Sequence, residues 1–167
     1  MPLITNHSDF TVRPATAGDC PTILAFIKQL AEYEKLAHEV VANEERLMKS
    51  LFGEHPSAEV IMGEYQNRPV GFALFFSNYS TFLAKPGIYL EDLFVQPDMR
   101  GKGFGKTLLA HLAKLAVERD CGRLEWSVLD WNQPAIDFYR SLNAQPMEGW
   151  TVNRLSGDAL AVLANEG

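Results

Sequence analysis

The chain has 167 residues, 47% of them hydrophobic and 22% charged, with a formal net charge of −6. Those proportions predict one soluble globular domain with a real core, and they exclude disordered, fibrous and disulfide-built classes. The acidic balance argues against a nucleic-acid partner, and no apolar run approaches the roughly 20 residues of a membrane span.

The N-terminus lacks a basic stretch followed by an apolar one, so no secretory signal is expected. Cys20 and Cys121 lie far apart, which predicts neither a disulfide framework nor a cysteine zinc site. A reducing cytoplasm is the expected compartment. Residues 1–9 read as an N-terminal extension, open to disorder, and 10–167 as a single domain.

Residues 10–13 alternate as a short first strand, followed by a turn with capping residues at 14–19. A helix is predicted up to about Leu36, with Ile23, Leu24, Ile27, Leu30 and Ala31 on one face. Asn43 or Glu44 opens a second helix carrying Leu47, Met48 and Leu51, and Gly53 closes it. Strands at 58–65 and 69–76 are joined through Gln66, Asn67 and Arg68 as a hairpin. An apolar strand at 88–95 leads into a glycine loop and a helix reaching about Arg119. A strand at 124–129, a short helix at 132–142, a last strand at 151–155 and a terminal helix capped by Ser156 complete the chain. That order fits an α/β fold, a mixed sheet with helices on both faces.

The glycine loop is the most specific feature. Gly101, Gly103 and Gly105 alternate at a strand-to-helix junction, flanked by Arg100, Lys102 and Lys106. Glycine lets successive N–H groups point into one concavity, and the following helix start adds free donors and partial positive charge. A phosphate or pyrophosphate is the expected guest. The phosphate-loop pattern of nucleotide hydrolases fails because Arg100 stands where its first glycine is required. The dinucleotide fingerprint fails because Lys106 takes its last position.

Two carboxylates, Glu91 and Asp92, stand in the apolar strand before that loop. Adjacent strand residues face opposite ways, and a carboxylate among apolar neighbours is costly unless paired or functional. Either of them can be a structural hydrogen-bonding group or a chemical one. Tyr139 lies on a helix that follows a strand end; a phenol there can donate a proton to a leaving group or simply pack. Asn132 can cap its helix or bond an amide of a ligand. His7, His38, His55 and His111 show no metal-like spacing, and no metal is assigned.

From about Val12 to Leu160 the chain resembles the GNAT acetyltransferases, in their diamine acetyltransferase branch of spermidine/spermine and thialysine N-acetyltransferases. The resemblance rests on Arg-Pro-Ala-Thr-Ala-Gly-Asp-Cys at 13–20, Leu-Ala-Glu-Tyr-Glu-Lys at 30–35, Phe-Gly-Glu-His-Pro at 52–56 and Tyr-Leu-Glu-Asp at 89–92. It continues through Arg-Gly-x-Gly-x-Gly at 100–105, Trp-Asn-Gln-Pro-Ala-Ile-Asp-Phe-Tyr at 131–139 and Glu-Gly-Trp at 148–150. The glycine loop specifies only the superfamily, and the other segments narrow it.

The resemblance implies a single GNAT domain around a mixed, mostly antiparallel sheet. It further implies that Leu93, Phe94 and Val95 offer backbone to the acetyl-pantetheine arm of acetyl-CoA. Arg100, Gly101, Lys102, Gly103, Phe104, Gly105 and Lys106 would hold its diphosphate. Asn132, Gln133, Pro134 and Ala135 would line its thiol end. Tyr139 would be the general acid. Tyr33, Glu34, Glu91, Asp92, the Glu125-Trp126-Ser127 strand and Glu148 would line the acceptor site, and Glu91 is the candidate base. A homodimer is implied as well. Asn143 departs from the glycine usual after that helix, although asparagine tolerates the left-handed conformation.

The expected reaction is acetyl transfer from acetyl-CoA to a primary amine of a small cationic acceptor: a diamine, a polyamine or a thialysine-like amino acid. Two rival readings are a non-catalytic acyl-CoA sensor on the same fold and, more remotely, a phosphate-loop hydrolase.

Overall fold

The computed structural model describes residues 9–167, so residues 1–8 of the expected extension lie outside it. The described residues fall into two compact units, one ending at Leu129 and the other Asp130–Gly167.

The first unit is built on a five-stranded sheet of β1 (Phe10–Pro14), β2 (Glu59–Tyr65), β3 (Arg68–Ser80), β4 (Lys85–Val95) and β5 (Leu124–Trp126), in that spatial order. The first three pairings are antiparallel, and β5 joins β4 in parallel. A parallel neighbour needs a crossover, and α3 (Phe104–Glu118) supplies it. Before the sheet's central hairpins come α1 (Cys20–Tyr33) and α2 (Glu44–Phe52).

Strand alternation sorts the helices onto two faces. Val60, Met62, Phe72 and Phe94 form one core cluster with Cys20, Ile23 and Phe26 of α1 and Leu47 and Leu51 of α2. One residue along, a Cβ at Gly63 would lie 2.7 Å from the Phe10 ring and 3.5 Å from Leu108 of α3, so that position faces the other way. Phe26 centres its cluster, with its ring 5.3 Å from Phe94 and 6.0 Å from Phe72.

Several boundaries differ from the sequence expectation for identifiable reasons. α1 stops at Tyr33 rather than Leu36 because Lys35 turns left-handed, at φ 61°. The Lys35 N–H then donates to the Glu32 carbonyl and the Leu36 N–H to the Ala31 carbonyl, which is the Schellman closure. The β2–β3 turn needs only Gln66 and Asn67, both with positive φ, as a type I′ hairpin requires. β3 and β4 each run several residues beyond expectation into a second hairpin. The polar run Ser77-Asn78-Tyr79-Ser80 suggests a loop, yet it pairs residue for residue with 85–88. β5 is only three residues long, where 124–129 was expected.

The second unit holds α4 (Gln133–Ser141) and α5 (Gly157–Ala164). The Asn132 side chain accepts from the Ala135 N–H and so caps α4. Asn143 takes the left-handed conformation at φ 63°. The strand expected at 151–155 does not form. A strand needs a neighbour's ladder, and the elements of this unit are helices. Locally, the Asn153 side-chain amide donates to the Thr151 carbonyl at 3.0 Å, a bond that competes with extended pairing.

Among the described residues no helix is long and apolar enough to cross a membrane.

Candidate active site

β4 carries the centre of the candidate site, and its register explains why. Leu74 of β3 faces Asp92 while Phe75 faces Leu90, so Glu91 is an extra residue with no partner on β3. This β-bulge breaks the strict up-and-down alternation expected of Glu91 and Asp92, and bulges re-aim side chains in that manner. On the opposite edge the pairing of β4 with β5 covers Ile88, Tyr89 and Leu90 only. Glu91 through Val95 therefore lie beyond the β5 ladder. Leu93, Phe94 and Val95 sit on this stretch.

Three carboxylates gather around the bulge. Burial, then the Glu91 and Glu34 carboxylates, push the Asp92 acid up to about 6. Burial first and Glu91 second also raise Glu34, which the Schellman closure fixes at the end of α1. Burial and the Glu91 charge thus raise both acids, an arrangement that a cation entering the site would relieve. Tyr33 precedes Glu34 and is 40% exposed.

Beyond Val95 the chain makes a tight turn at Pro97–Met99 and enters the glycine loop. Gly101 and Gly103 have φ of 78° and 81°, and Gly103 is the N-cap of α3. Side chains are strained in that conformation, and at Gly101 a Cβ would meet nothing within 4 Å, so backbone conformation and not crowding calls for glycine there. Thr107 ties the loop down through its N–H and hydroxyl, both 3.0 Å from the Gly103 carbonyl. Among the described residues Lys102 and Lys106 have no ion-pair partner within 4 Å. Phe104 points into the core, its ring stacked at 4.1 Å on Phe10.

The β5 residues are placed differently from the carboxylate trio. Glu125 pairs with Arg123 at 2.7 Å and accepts from Asn78 at 3.2 Å. The Ser127 hydroxyl is 2.7 Å from the Tyr89 hydroxyl. Glu125 and Ser127 thus brace β5 against β3 and β4, a role that sequence spacing did not reveal. Trp126 is half-buried, opposite Leu90.

The model of the acetyltransferase (GNAT) family matches residues 26–144, spanning the bulged strand, the glycine loop and α4. The chain belongs to the GNAT acetyltransferase family. It is an N-acetyltransferase of that family, whose members draw their acetyl group from acetyl-CoA. It is 39% identical to a thialysine N-epsilon-acetyltransferase of Bos taurus over 93% of this chain and 97% of that one. It is 37% identical to the L-ornithine N5-acetyltransferase NATA1 of Arabidopsis thaliana over 95% and 90%. Among solved structures, the V.cholerae integron cassette protein VCH_CASS6 superposes with a TM-score of 0.79 at 28% identity, covering 93% of this chain and 98% of that one.

In the second unit of this GNAT chain, Asn132, Gln133, Pro134 and Ala135 form the start of α4, with Asn132 engaged in capping. Tyr139 is half-buried near the end of the same helix, its ring 5.5 Å from Phe138. Glu148 is exposed and precedes Gly149, which has φ of 87°.

A direct test of the loop follows from the Gly103 backbone. Gly103→Glu adds bulk and negative charge where an anion would sit, and strains a left-handed position. Acetyl-CoA affinity is expected to fall at least about tenfold, roughly 1.4 kcal/mol. Titration calorimetry gives the affinity, with circular dichroism as the control for folding; a well-folded variant with undiminished affinity would remove the loop from the cofactor site.

Proposed function

We propose that this GNAT enzyme transfers acetyl from acetyl-CoA to the primary amine of a small acceptor carrying a second positive charge. The observation that carries this reading is the Glu34–Glu91–Asp92 cluster, in which burial first and the Glu91 charge second raise both Glu34 and Asp92, beside the part of β4 that runs past the β5 ladder. The relatives named for thialysine and ornithine support it, since both amino acids combine a side-chain amine with an α-ammonium group. A polyamine or short diamine meets the same requirement.

In the proposed reaction acetyl-CoA lies with its diphosphate over residues 101–106 and its pantetheine arm along Leu93, Phe94 and Val95. The amine arrives protonated, with an ordinary pKa near about 10.4, and must lose a proton before it attacks. Glu91, directly or through a water, takes that proton. The nitrogen lone pair then bonds to the thioester carbonyl carbon, and a strand N–H near Phe94 or Val95 supports the developing oxyanion. The carbon–sulfur bond breaks as the intermediate collapses, Tyr139 gives its proton to the departing thiolate, and the second proton on the nitrogen leaves and restores the phenol, so that the products are a neutral amide and the CoA thiol. Holding amine and thioester together supplies much of the acceleration, with no covalent enzyme intermediate.

The test is a panel of amines with acetyl-CoA, reading thiol release: thialysine, ornithine, spermidine, a short diamine and an uncharged arylamine. The reading requires the cationic acceptors to exceed the arylamine in kcat/KM by at least about tenfold, the worth of roughly one charged contact. An arylamine preference would overturn the acceptor class while leaving the acetyltransferase assignment intact.

A further inference from the structure

Both neighbours of β4 lose register at the same residue. On one side the bulge leaves Glu91 without a partner on β3. On the other the parallel ladder ends with Leu90 opposite Trp126, and Ser127, which continued register would set beside Glu91, follows the end of β5 outside the ladder. A side-chain bond crosses this break: the Tyr89 and Ser127 hydroxyls lie 2.7 Å apart. The bulge also decides which face that bond occupies. Leu74 packs against the core cluster of α1 and α2 and lies opposite Asp92. Phe76, on the same face of β3, lies opposite Tyr89, with the two rings 5.3 Å apart. Opposed residues share a face, so Tyr89 and Asp92 stand on the α1 side of the sheet with the extra residue Glu91 between them. Ser127 is exposed and Tyr89 half-buried, so water can replace either partner and the bond adds little to the stability of the fold. What it fixes is where the end of β5 stands relative to Glu91.

We propose that Tyr89 and Ser127 are positioning residues for acetyl transfer: their hydroxyls clasp the end of β5 to β4 and so hold the stretch of backbone that presents Glu91 to the amine. This rests on the reading above, in which Glu91 takes the amine proton. It also revises what the sequence resemblance implied for Ser127, whose hydroxyl serves the strand rather than the acceptor. Ordinary ladder bonds cannot do this work, because at Glu91 there are none on either side. The clasp substitutes for them from Tyr89, the nearest β4 residue on that face before the bulge.

The experiment uses the full chain, with Tyr89→Phe, Ser127→Ala, the double variant and Ser127→Thr. Tyr89→Phe keeps the ring beside Phe76 and removes only the hydroxyl. Calorimetry gives the acetyl-CoA Kd, thermal melts confirm folding, and thiol release at saturating acetyl-CoA gives kcat/KM for the best cationic acceptor. Each single variant is expected to lose about tenfold in kcat/KM, as a slightly displaced base would, with the acetyl-CoA Kd within about threefold of wild type. The double variant should be no worse than about threefold beyond the poorer single one, because both substitutions remove the same bond. Ser127→Thr keeps a hydroxyl and should recover most of what Ser127→Ala loses. Wild-type kcat/KM in either folded single variant would reduce the pair to a brace of the sheet. A loss in one single variant that the other does not share would mean that its hydroxyl meets the acceptor directly. Fully multiplicative losses, or a tenfold weaker acetyl-CoA Kd, would equally overturn the proposal. Wild-type protein that released no thiol with any cationic amine would defeat the acceptor reading itself, a failure distinct from any variant outcome.

Discussion

Tyr139→Phe is expected to lower kcat by roughly a hundredfold while leaving the helix that carries it intact. The substitution retains the ring that lies 5.5 Å from Phe138, and the hydrogen bonds that close α4 run from the Leu142 and Ala144 N–H groups to the Tyr139 backbone carbonyl. Those contacts run through the ring and the backbone, both of which the substitution keeps. Acetyl-CoA affinity should be preserved, because a proton donor to the thiolate acts only as the carbon–sulfur bond breaks. The measurement is single-turnover thiol release with saturating acetyl-CoA and amine, which reports chemistry rather than product release. A single-turnover rate equal to wild type would leave Tyr139 as a packing residue of α4. A loss confined to acetyl-CoA affinity would make it a cofactor contact instead.

Much of this architecture was legible because the relevant physics is local. Apolar periodicity placed α1, α2 and α3, and of the two openings expected for α2, Asn43 and Glu44, it is Asn43 that caps the helix by accepting from the Arg46 N–H. The glycine loop was recognisable because positive φ at Gly101 and Gly103 demands glycine where it stands. What escaped was set by tertiary neighbours. The bulge at Glu91 is a matter of how many residues β3 has between Phe75 and Leu74, which spacing on β4 alone does not encode. The second hairpin escaped because Asn78, Tyr79 and Ser80 carry loop chemistry, yet their strand is completed by 85–87. The same reasoning runs in reverse at 151–155, where strand-like residues find no ladder within their own unit. In the site, the trio of acids was expected residue by residue from the resemblance. The engagement of Glu125 with Arg123 and Asn78, and of Arg100 with Tyr33, depends on rotamers that no motif states.

Asp92→Asn should make the protein more stable and a worse enzyme, and both effects should depend on pH. Burial and the neighbouring Glu91 and Glu34 raise the Asp92 acid to about 6 in the folded protein, against an unfolded value near about 3.9. A folded-state value above the unfolded one means that the fold binds this proton more tightly. The corresponding stability is present in full below about pH 4 and is lost as pH rises through about 6. At pH 7.5 the ionised carboxylate therefore opposes folding, by something on the order of 1–3 kcal/mol. Asparagine removes that opposition, so the variant's melting temperature should exceed wild type by several degrees at pH 7.5 and converge with it near pH 4. Activity should move the other way. An ionised Asp92 facing the second cation of the acceptor is worth roughly 1.5–3 kcal/mol, so kcat/KM for dicationic amines should fall about 10- to 150-fold. Wild-type kcat/KM for those amines should also show a limb rising through about pH 6, separate from the rise due to amine deprotonation, and the variant should lack it. Gained stability with unaltered kinetics would make Asp92 a strained structural acid. Equal losses on cationic and uncharged acceptors would remove the acidic pocket from substrate selection, because a charge contact can discriminate only among substrates that carry the charge.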